Sequence, residues 1–389
     1  MNRGNELEQT NISSYVGLYV HIPFCKTKCI YCDFNCYAGK NALIPDYVLA
    51  LGKELVTYSD QGLVARTLYM GGGTPSLLSP SQVLYIVGTA RDYLRLIDGA
   101  EITMEANPGT VSEQYFRDVL AVGVNRISIG IQSFKDDDLR RLARHHTVEE
   151  ALEAYRAARA AGFENISVDL IYGLPFQTLD DWRHNLSRVV DIEPDHISLY
   201  ALTVEEGTPL YRLISRGKLP SPDDDLMADM YELAQEVLEK AGYIHYEISN
   251  WCIPGKQSKH NMIYWREEPF IGAGAGAYGF LNSVRYYNEL LPSKYISLIN
   301  NGQSPIVWQE ELSVPIERSE YVILHLRLAE GVNAEEFQSR YGQSLQSFLS
   351  GKIDDVAGLG LVEWKDNYFR LTPKGRLLSN EVFVRILPD

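Results

Sequence analysis

The chain has 389 residues, 45% of them hydrophobic and 22% charged, ordinary globular proportions that exclude wholesale disorder, a collagen repeat and a coiled coil. The length exceeds the roughly 250–300 residues at which a single core stops growing, so a large domain with a smaller companion is expected. With 36 Lys and Arg against 51 Asp and Glu the net charge is -15, which repels a phosphate backbone and argues against nucleic acid as a partner.

In chain order, the start from Met1 to Asn11 is polar rather than signal-like. No apolar run approaches the roughly 20 residues of a membrane span, so the expected compartment is the cytoplasm. Six β-rich runs follow, each leading through turn residues into a helical stretch: Leu18–Ile22, Thr67–Met70, Glu101–Glu105, Arg126–Gly130, Ile166–Leu170 and His196–Leu202. In the fourth helical stretch Leu152, Tyr155, Ala158 and Ala161 share one apolar face. Such alternation predicts an α/β fold with parallel strands and crossover helices, either an open doubly wound sheet or an incomplete barrel. Both place chemistry at the carboxyl ends of the strands.

The residues at those ends are unusual. Strand one is followed by Cys25, Cys29 and Cys32, strand two by Gly71-Gly72-Gly73-Thr74-Pro75, and strand three ends in Glu105-Ala106-Asn107-Pro108. Gln132 follows strand four, and Asp169 with Tyr172-Gly173-Leu174-Pro175 closes strand five. A shared site on one rim is the simplest reading. After Thr203 the pattern weakens through Pro209–Asp225 before a helix over Leu226–Ala241. The organisation expected is a tail at 1–17, a barrel at 18–240, a connecting region at 241–310 and a small helical domain with a β wing at 311–389.

Four of the five cysteines, Cys25, Cys29, Cys32 and Cys36, lie close together, while Cys252 stands alone. In a reducing compartment such a cluster reads as metal ligands or redox groups rather than bridges. Zinc sites generally join two separated pairs, and no second pair is visible. Three readings stay open on spacing: an iron-sulfur cluster held by three thiolates with one iron left open, a cluster closed by Cys36, or zinc or no metal at all.

The run Tyr19-Val20-His21-Ile22-Pro23-Phe24-Cys25-x3-Cys29-x-Tyr31-Cys32 and the glycine-rich loop after strand two resemble the radical S-adenosylmethionine (SAM) proteins. Within them the chain, as far as its Leu371-Thr372-Pro373-Lys374-Gly375 tail, is similar to the oxygen-independent coproporphyrinogen III oxidase group and its shorter heme-chaperone branch. The resemblance implies a partial (β/α)6 barrel with a mostly helical C-terminal domain, a 4Fe-4S cluster on Cys25, Cys29 and Cys32, and SAM chelating the open iron. It places Tyr19, Gly72, Gly73, Thr74 and Glu105 around that SAM and Gln132, Arg144 and Asp169 in the same region, where some relatives bind a second SAM. Chemically, Glu105 and Asp169 are acceptors for ribose hydroxyls or an ammonium, and Arg144 is a fork donor for a carboxylate. Consecutive glycines let backbone approach the methionyl end of a ligand.

The oxidase pattern has a further cysteine two residues after the third and a long N-terminal extension; here Phe34 holds that position and 24 residues precede Cys25. The run His260-Asn261-Met262-Ile263-Tyr264-Trp265 matches the HNxxYW motif of the chaperone branch, making His260 a candidate heme contact or axial ligand with Tyr264 and Trp265 on a porphyrin face. The expected function is therefore a heme-binding chaperone with heme, an acceptor protein and an electron donor as partners, and with room for peripheral membrane contact. A decarboxylating oxidase and a purely electron-transferring protein are the alternatives. Cys36 is expected to be free or to have a secondary heme or redox role, and Cys252 to be a buried hydrophobe. His145 and His146 are expected in a solvated turn. The segment Gly272-x-Gly274-x-Gly276 lacks the βαβ setting of a dinucleotide loop and is expected to let backbone approach SAM.

Overall fold

A computed structural model describes residues 14–388. Each of the six β-rich runs forms a strand: β1 (Tyr15–Ile22), β2 (Val64–Gly72), β3 (Glu101–Ala106), β4 (Arg126–Gln132), β5 (Ile166–Tyr172) and β6 (His196–Ala201). They lie side by side in chain order and pair in parallel throughout. Consecutive strands as neighbours is the single winding of a barrel, not the reversal of a doubly wound sheet. Strand β2 runs through Gly71 and Gly72, so the glycine motif starts inside the sheet rather than after it.

The crossover helices begin where the sequence supplies reciprocal caps. Ser79 with Gln82, Thr147 with Glu150, and Thr178 with Asp181 each form a capping box, satisfying backbone donors that the first turn leaves unpaired. The helix Val148–Ala161 buries Ala151, Leu152, Ala154, Tyr155 and Ala158 and stops at Gly162, whose φ of 103° is open to glycine at little cost. The helix Leu179–Asp191 buries Trp182, Leu186 and Val189; full burial of an aliphatic side chain such as Leu186 contributes roughly 1.5–3 kcal/mol.

Residues 241–310 add strands to both edges of the same sheet. Beyond β1 lie Phe270–Ala273, parallel to it, then the antiparallel strands Tyr278–Leu281, Val284–Asn288 and Ile306–Glu311. Beyond β6 lie Asn250–Cys252 and Ile244–Glu247. The helix Lys259–Trp265 connects the two edges in sequence and packs against β2.

The C-terminal residues build a second core from Val322, Phe337, Leu345, Val356, Phe369 and Val382. Helices surround a three-stranded sheet of Val332–Asn333, Tyr368–Leu371 and Val362–Lys365, which is the β wing. This unit is tied to the barrel by the Ile248 N–H donating to the Arg327 carbonyl at 3.1 Å and by the ion pair of Arg327 with the buried Glu247 at 3.7 Å. Among the described residues no helix is long and apolar enough to cross a membrane.

Candidate functional site

The loop after β1 carries the clustered thiols over the carboxyl ends of β2 to β6. Cys25, Cys29, Cys32 and Cys36 line a cavity of about 480 Å³ together with Gly72, Gly73, Thr74, Glu105, Gln132, Arg144 and Asp169. Ten of the twelve residues expected at the site thus meet in one place; Tyr19 and His260 do not.

The thiols are anchored from three sides. The Thr74 hydroxyl donates to Cys25 Sγ at 3.5 Å, and Arg144 donates from Nη1 to Cys29 Sγ at 3.6 Å while its Nη2 bonds the Gly130 carbonyl at 2.7 Å. Cys32 and Cys36 stand 3.8 Å apart. A hydrogen bond with Cys36 is the main reason that the Cys25 thiol is lowered to about 6 and that Cys32 is lowered too; Cys36, as the donor, is pushed up. Cys36 is buried, as Cys25 is, and supports its neighbours by donating to them. Among the described residues no three His, Cys, Asp or Glu side chains converge on a point as the ligands of one ion do. A four-iron cluster makes a different demand, with each thiolate taking its own iron. Thiols backed by Arg144 and Lys28 suit that group, since positive charge favours the ligating thiolate.

The glycines are required by the cysteine loop. A Cβ on Gly73 would lie 2.7 Å from the Phe24 carbonyl oxygen and 2.9 Å from that of Ile22, and the Gly73 N–H donates to the Ile22 carbonyl at 2.9 Å. The expected close approach is therefore to backbone that carries Cys25. Gly276 does the same from the other side, because a side chain there would collide with Asn35. Asn35 bonds the Ala275 and Leu290 carbonyls, each at 3.0 Å. The Gly272–Gly276 segment thus braces the end of the cysteine loop, and it does not line the cavity as expected for an approach to SAM.

Below the thiols the walls are polar. Glu105 accepts from the Gly72 N–H at 3.1 Å and the Tyr69 hydroxyl at 3.0 Å, and burial together with Asp169 raises its carboxyl to about 7. Asp169 accepts from the Ser128 hydroxyl at 3.0 Å and is raised by burial. Gln132 has a φ of 71°, a left-handed conformation uncommon outside glycine, at a register shift that ends β4 on the cavity rim. Such strain is tolerated where surrounding structure fixes it. Sequence reasoning missed Tyr69, Arg126, Ser128, Ser198, Tyr200 and Asn261 in this wall. Alternation along β4 and β6 was the available signal, since Arg126, Ser128 and Gly130 share a face.

Tyr19 and His260 lie outside the cavity lining. Tyr19 stands half-buried on β1 beside the cavity-lining Tyr69, its hydroxyl 2.9 Å from His21 Nδ1 and its ring stacked on Tyr69. His260 is fully buried, with Nδ1 2.7 Å from the Thr67 hydroxyl and Nε2 2.7 Å from the Tyr264 hydroxyl, and it stacks on Tyr69. Both ring nitrogens are engaged, so neither is presented to an iron. Tyr264 packs edge-on to Phe270, and Trp265 lies under the Arg327 guanidinium at 4.2 Å, which leaves neither ring face set for a porphyrin. His146 is likewise buried, bonded to the Ile131 carbonyl at 3.1 Å, whereas His145 is exposed. Cys252 is buried as expected.

A parallel barrel with a three-thiol loop and a polar chamber at its carboxyl rim defines a radical SAM protein. The Radical SAM superfamily model matches residues 19–189, and the HemN C-terminal domain model matches residues 317–378. The fold superposes on coproporphyrinogen III oxidase (HemN) from Escherichia coli with a TM-score of 0.84 at 24% identity, covering 95% of this chain and 89% of that one. More particularly, the chain belongs to the HemW family. It is 37% identical to the heme chaperone HemW of Bacillus subtilis (strain 168), covering 95% of this chain and 99% of that one. It is 35% identical to the heme chaperone HemW of Escherichia coli (strain K12), covering 96% and 98%. The family carries a 4Fe-4S cluster and SAM.

Proposed function

We propose that the chain is a heme-binding chaperone that carries a 4Fe-4S cluster and SAM and passes heme to an acceptor protein. The observation that carries this reading is similarity over 95% of the chain to proteins named heme chaperone HemW. Phe34 supports it: where the oxidase pattern has a cysteine, an aromatic ring 63% exposed stands at the cavity wall, and an exposed apolar ring suits a porphyrin face better than iron.

In this reading Cys25, Cys29 and Cys32 hold the cluster and Cys36 stays a hydrogen-bond donor. When bound, cluster and SAM together supply one-electron chemistry. Arg144 holds Cys29 against β4, and Thr74 holds Cys25. Glu105 and Asp169 accept from the ligand's ammonium or ribose hydroxyls, with Gln132, Gly72 and Gly73 forming the surrounding wall. A cytoplasmic setting, an electron-donor partner and no affinity for nucleic acid belong to the same reading, the last supported by the net charge of -15. His260 acts as a packing pillar under Tyr69 rather than as an axial ligand.

The test is heme titration of purified, cluster-reconstituted protein, followed by incubation with an apo-hemoprotein, beside an anaerobic assay with coproporphyrinogen III, SAM and reductant. Saturable heme binding, transfer and no decarboxylation are expected. Formation of protoporphyrinogen without heme binding would overturn the reading in favour of the oxidase.

A further inference from the structure

One layer beneath the carboxylates the barrel holds a charge used by nothing described so far. Arg126 opens β4 opposite Thr103, while Ser128, the next inward residue, stands opposite Glu105. Arg126 is 2% exposed and contributes to the cavity wall. Its Nε has no hydrogen-bond partner among the described residues, and neither has the adjoining Thr103 hydroxyl. A buried guanidinium without direct partners is costly unless opposite charge lies close by. Glu105 and Asp169 supply that charge: both lie in the field of Arg126, which acts to lower each carboxyl against the raising effect of burial. Arg126, Glu105 and Asp169, as a trio of one guanidinium and two carboxyl groups, carry one negative charge in excess when all three are ionised, while Arg144 and Lys28 lie at the thiol end of the same cavity.

We propose that Arg126 is a positioning residue for a cationic guest: it favours the charged forms of Glu105 and Asp169 against burial, so that, once both are ionised, the three groups together present one net negative charge to the sulfonium and ammonium of SAM. This rests on the SAM site read above. Without Arg126 the two carboxylates share their end of the chamber with no counter-charge, and like charges at short range do not both ionise.

The other titratable groups facing Glu105 are Tyr19 on β1, Tyr69 on β2, Tyr200 on β6 and Tyr264 on the Lys259–Trp265 helix, all raised by burial. His260, facing Arg126, is lowered to about 3 by burial, and His196 is lowered likewise. Cys25, whose thiol is lowered to about 6, is taken up as a cluster ligand in the reconstituted protein, which leaves Glu105 as the wall group that changes charge near neutral pH. Glu105 is raised to about 7, so SAM affinity rises with pH through that value as its carboxylate forms.

Equilibrium dialysis of labelled SAM against cluster-reconstituted protein, from about pH 6 to about pH 8.5, tests this. Removing a nearby opposite charge moves a carboxyl by about one pH unit or more. Because Glu105 keeps its hydrogen bonds from Tyr69 and Gly72, Arg126→Gln is expected to shift the rise upward by less than that and to weaken binding about twofold or more near pH 7, with the loss shrinking at higher pH. Arg126→Lys is expected to keep the parent profile. A Gln variant with unchanged affinity, or with an equal loss at every pH, overturns the proposal. Should Arg126→Gln not fold, Glu105→Gln decides: persistence of the parent's pH-dependent rise would contradict the proposal, and a flat profile supports it. SAM binding by the parent with no pH dependence defeats this inference alone, whereas no SAM binding by the parent defeats the site reading with it.

Discussion

Cys36 and His260 show how much a residue's role depends on what its polar atoms touch. Cys36 lies four positions after Cys32, close enough in sequence to pass for a fourth ligand, yet its thiol is spent on its neighbours. Cys36→Ser keeps a donor in that place, so iron content and SAM binding are expected to persist, whereas Cys29→Ser is expected to lose both; iron analysis and SAM dialysis check this, and loss of the cluster in Cys36→Ser would contradict the three-ligand account. His260 joins β2 to the Lys259–Trp265 helix through two hydrogen bonds and a ring stack. His260→Ala leaves the Thr67 hydroxyl buried without its partner and opens space beneath Tyr69, so a loss of about 2–4 kcal/mol is expected in urea unfolding. The heme absorption band is expected to be unchanged in the same variant; its disappearance at full retention of fold would restore the axial-ligand role.

Glu54 is an element-scale device. It lies on the helix Ile44–Val56 and accepts from the Gly274 N–H at 2.8 Å, Asn288 Nδ2 at 2.6 Å and the Tyr295 hydroxyl at 2.5 Å, so that one carboxylate fastens the helix to the glycine segment bracing the cysteine loop. Burial raises it to about 7, above the ordinary carboxyl value. The folded chain therefore holds this proton to higher pH than the unfolded chain does. The group's contribution is most favourable below the unfolded pKa and declines as pH rises through about 7. Urea midpoints of Glu54→Gln are expected to show a shallower decline between about pH 4.5 and about pH 7 than those of the parent; an identical slope would show that Glu54 is not the group responsible.

The same scale explains what was legible in the sequence. Strands β1 to β6 were readable because each is a short β-rich run followed by turn residues and a helical stretch, and the three-thiol loop was readable because its ligands are local. The strands Tyr278–Leu281 and Val284–Asn288 were not, because glycine, asparagine and serine interrupt them and their stability comes from cross-strand pairs such as Tyr278 with Tyr287. Arg126 looked like an ordinary strand residue, since only closure of the barrel reveals which face is enclosed. The burial of His260 was equally hidden: a helix of seven residues is too short for periodicity to fix its inner face.

At the scale of the whole molecule, the barrel and the strand extension beyond β1 converge on holding one short loop in place. Backbone from β2, Asn35 with the Gly272–Gly276 segment, and Arg144 from the β4 side each contact it. That investment makes sense for a cluster whose fourth iron stays open to SAM. The most direct measurement is electron paramagnetic resonance of the reduced, reconstituted protein before and after SAM is added. A 4Fe-4S signal that shifts on SAM addition, and that is absent in Cys29→Ser, is the predicted result. A signal indifferent to SAM, or stoichiometric zinc in place of iron, would contradict the account.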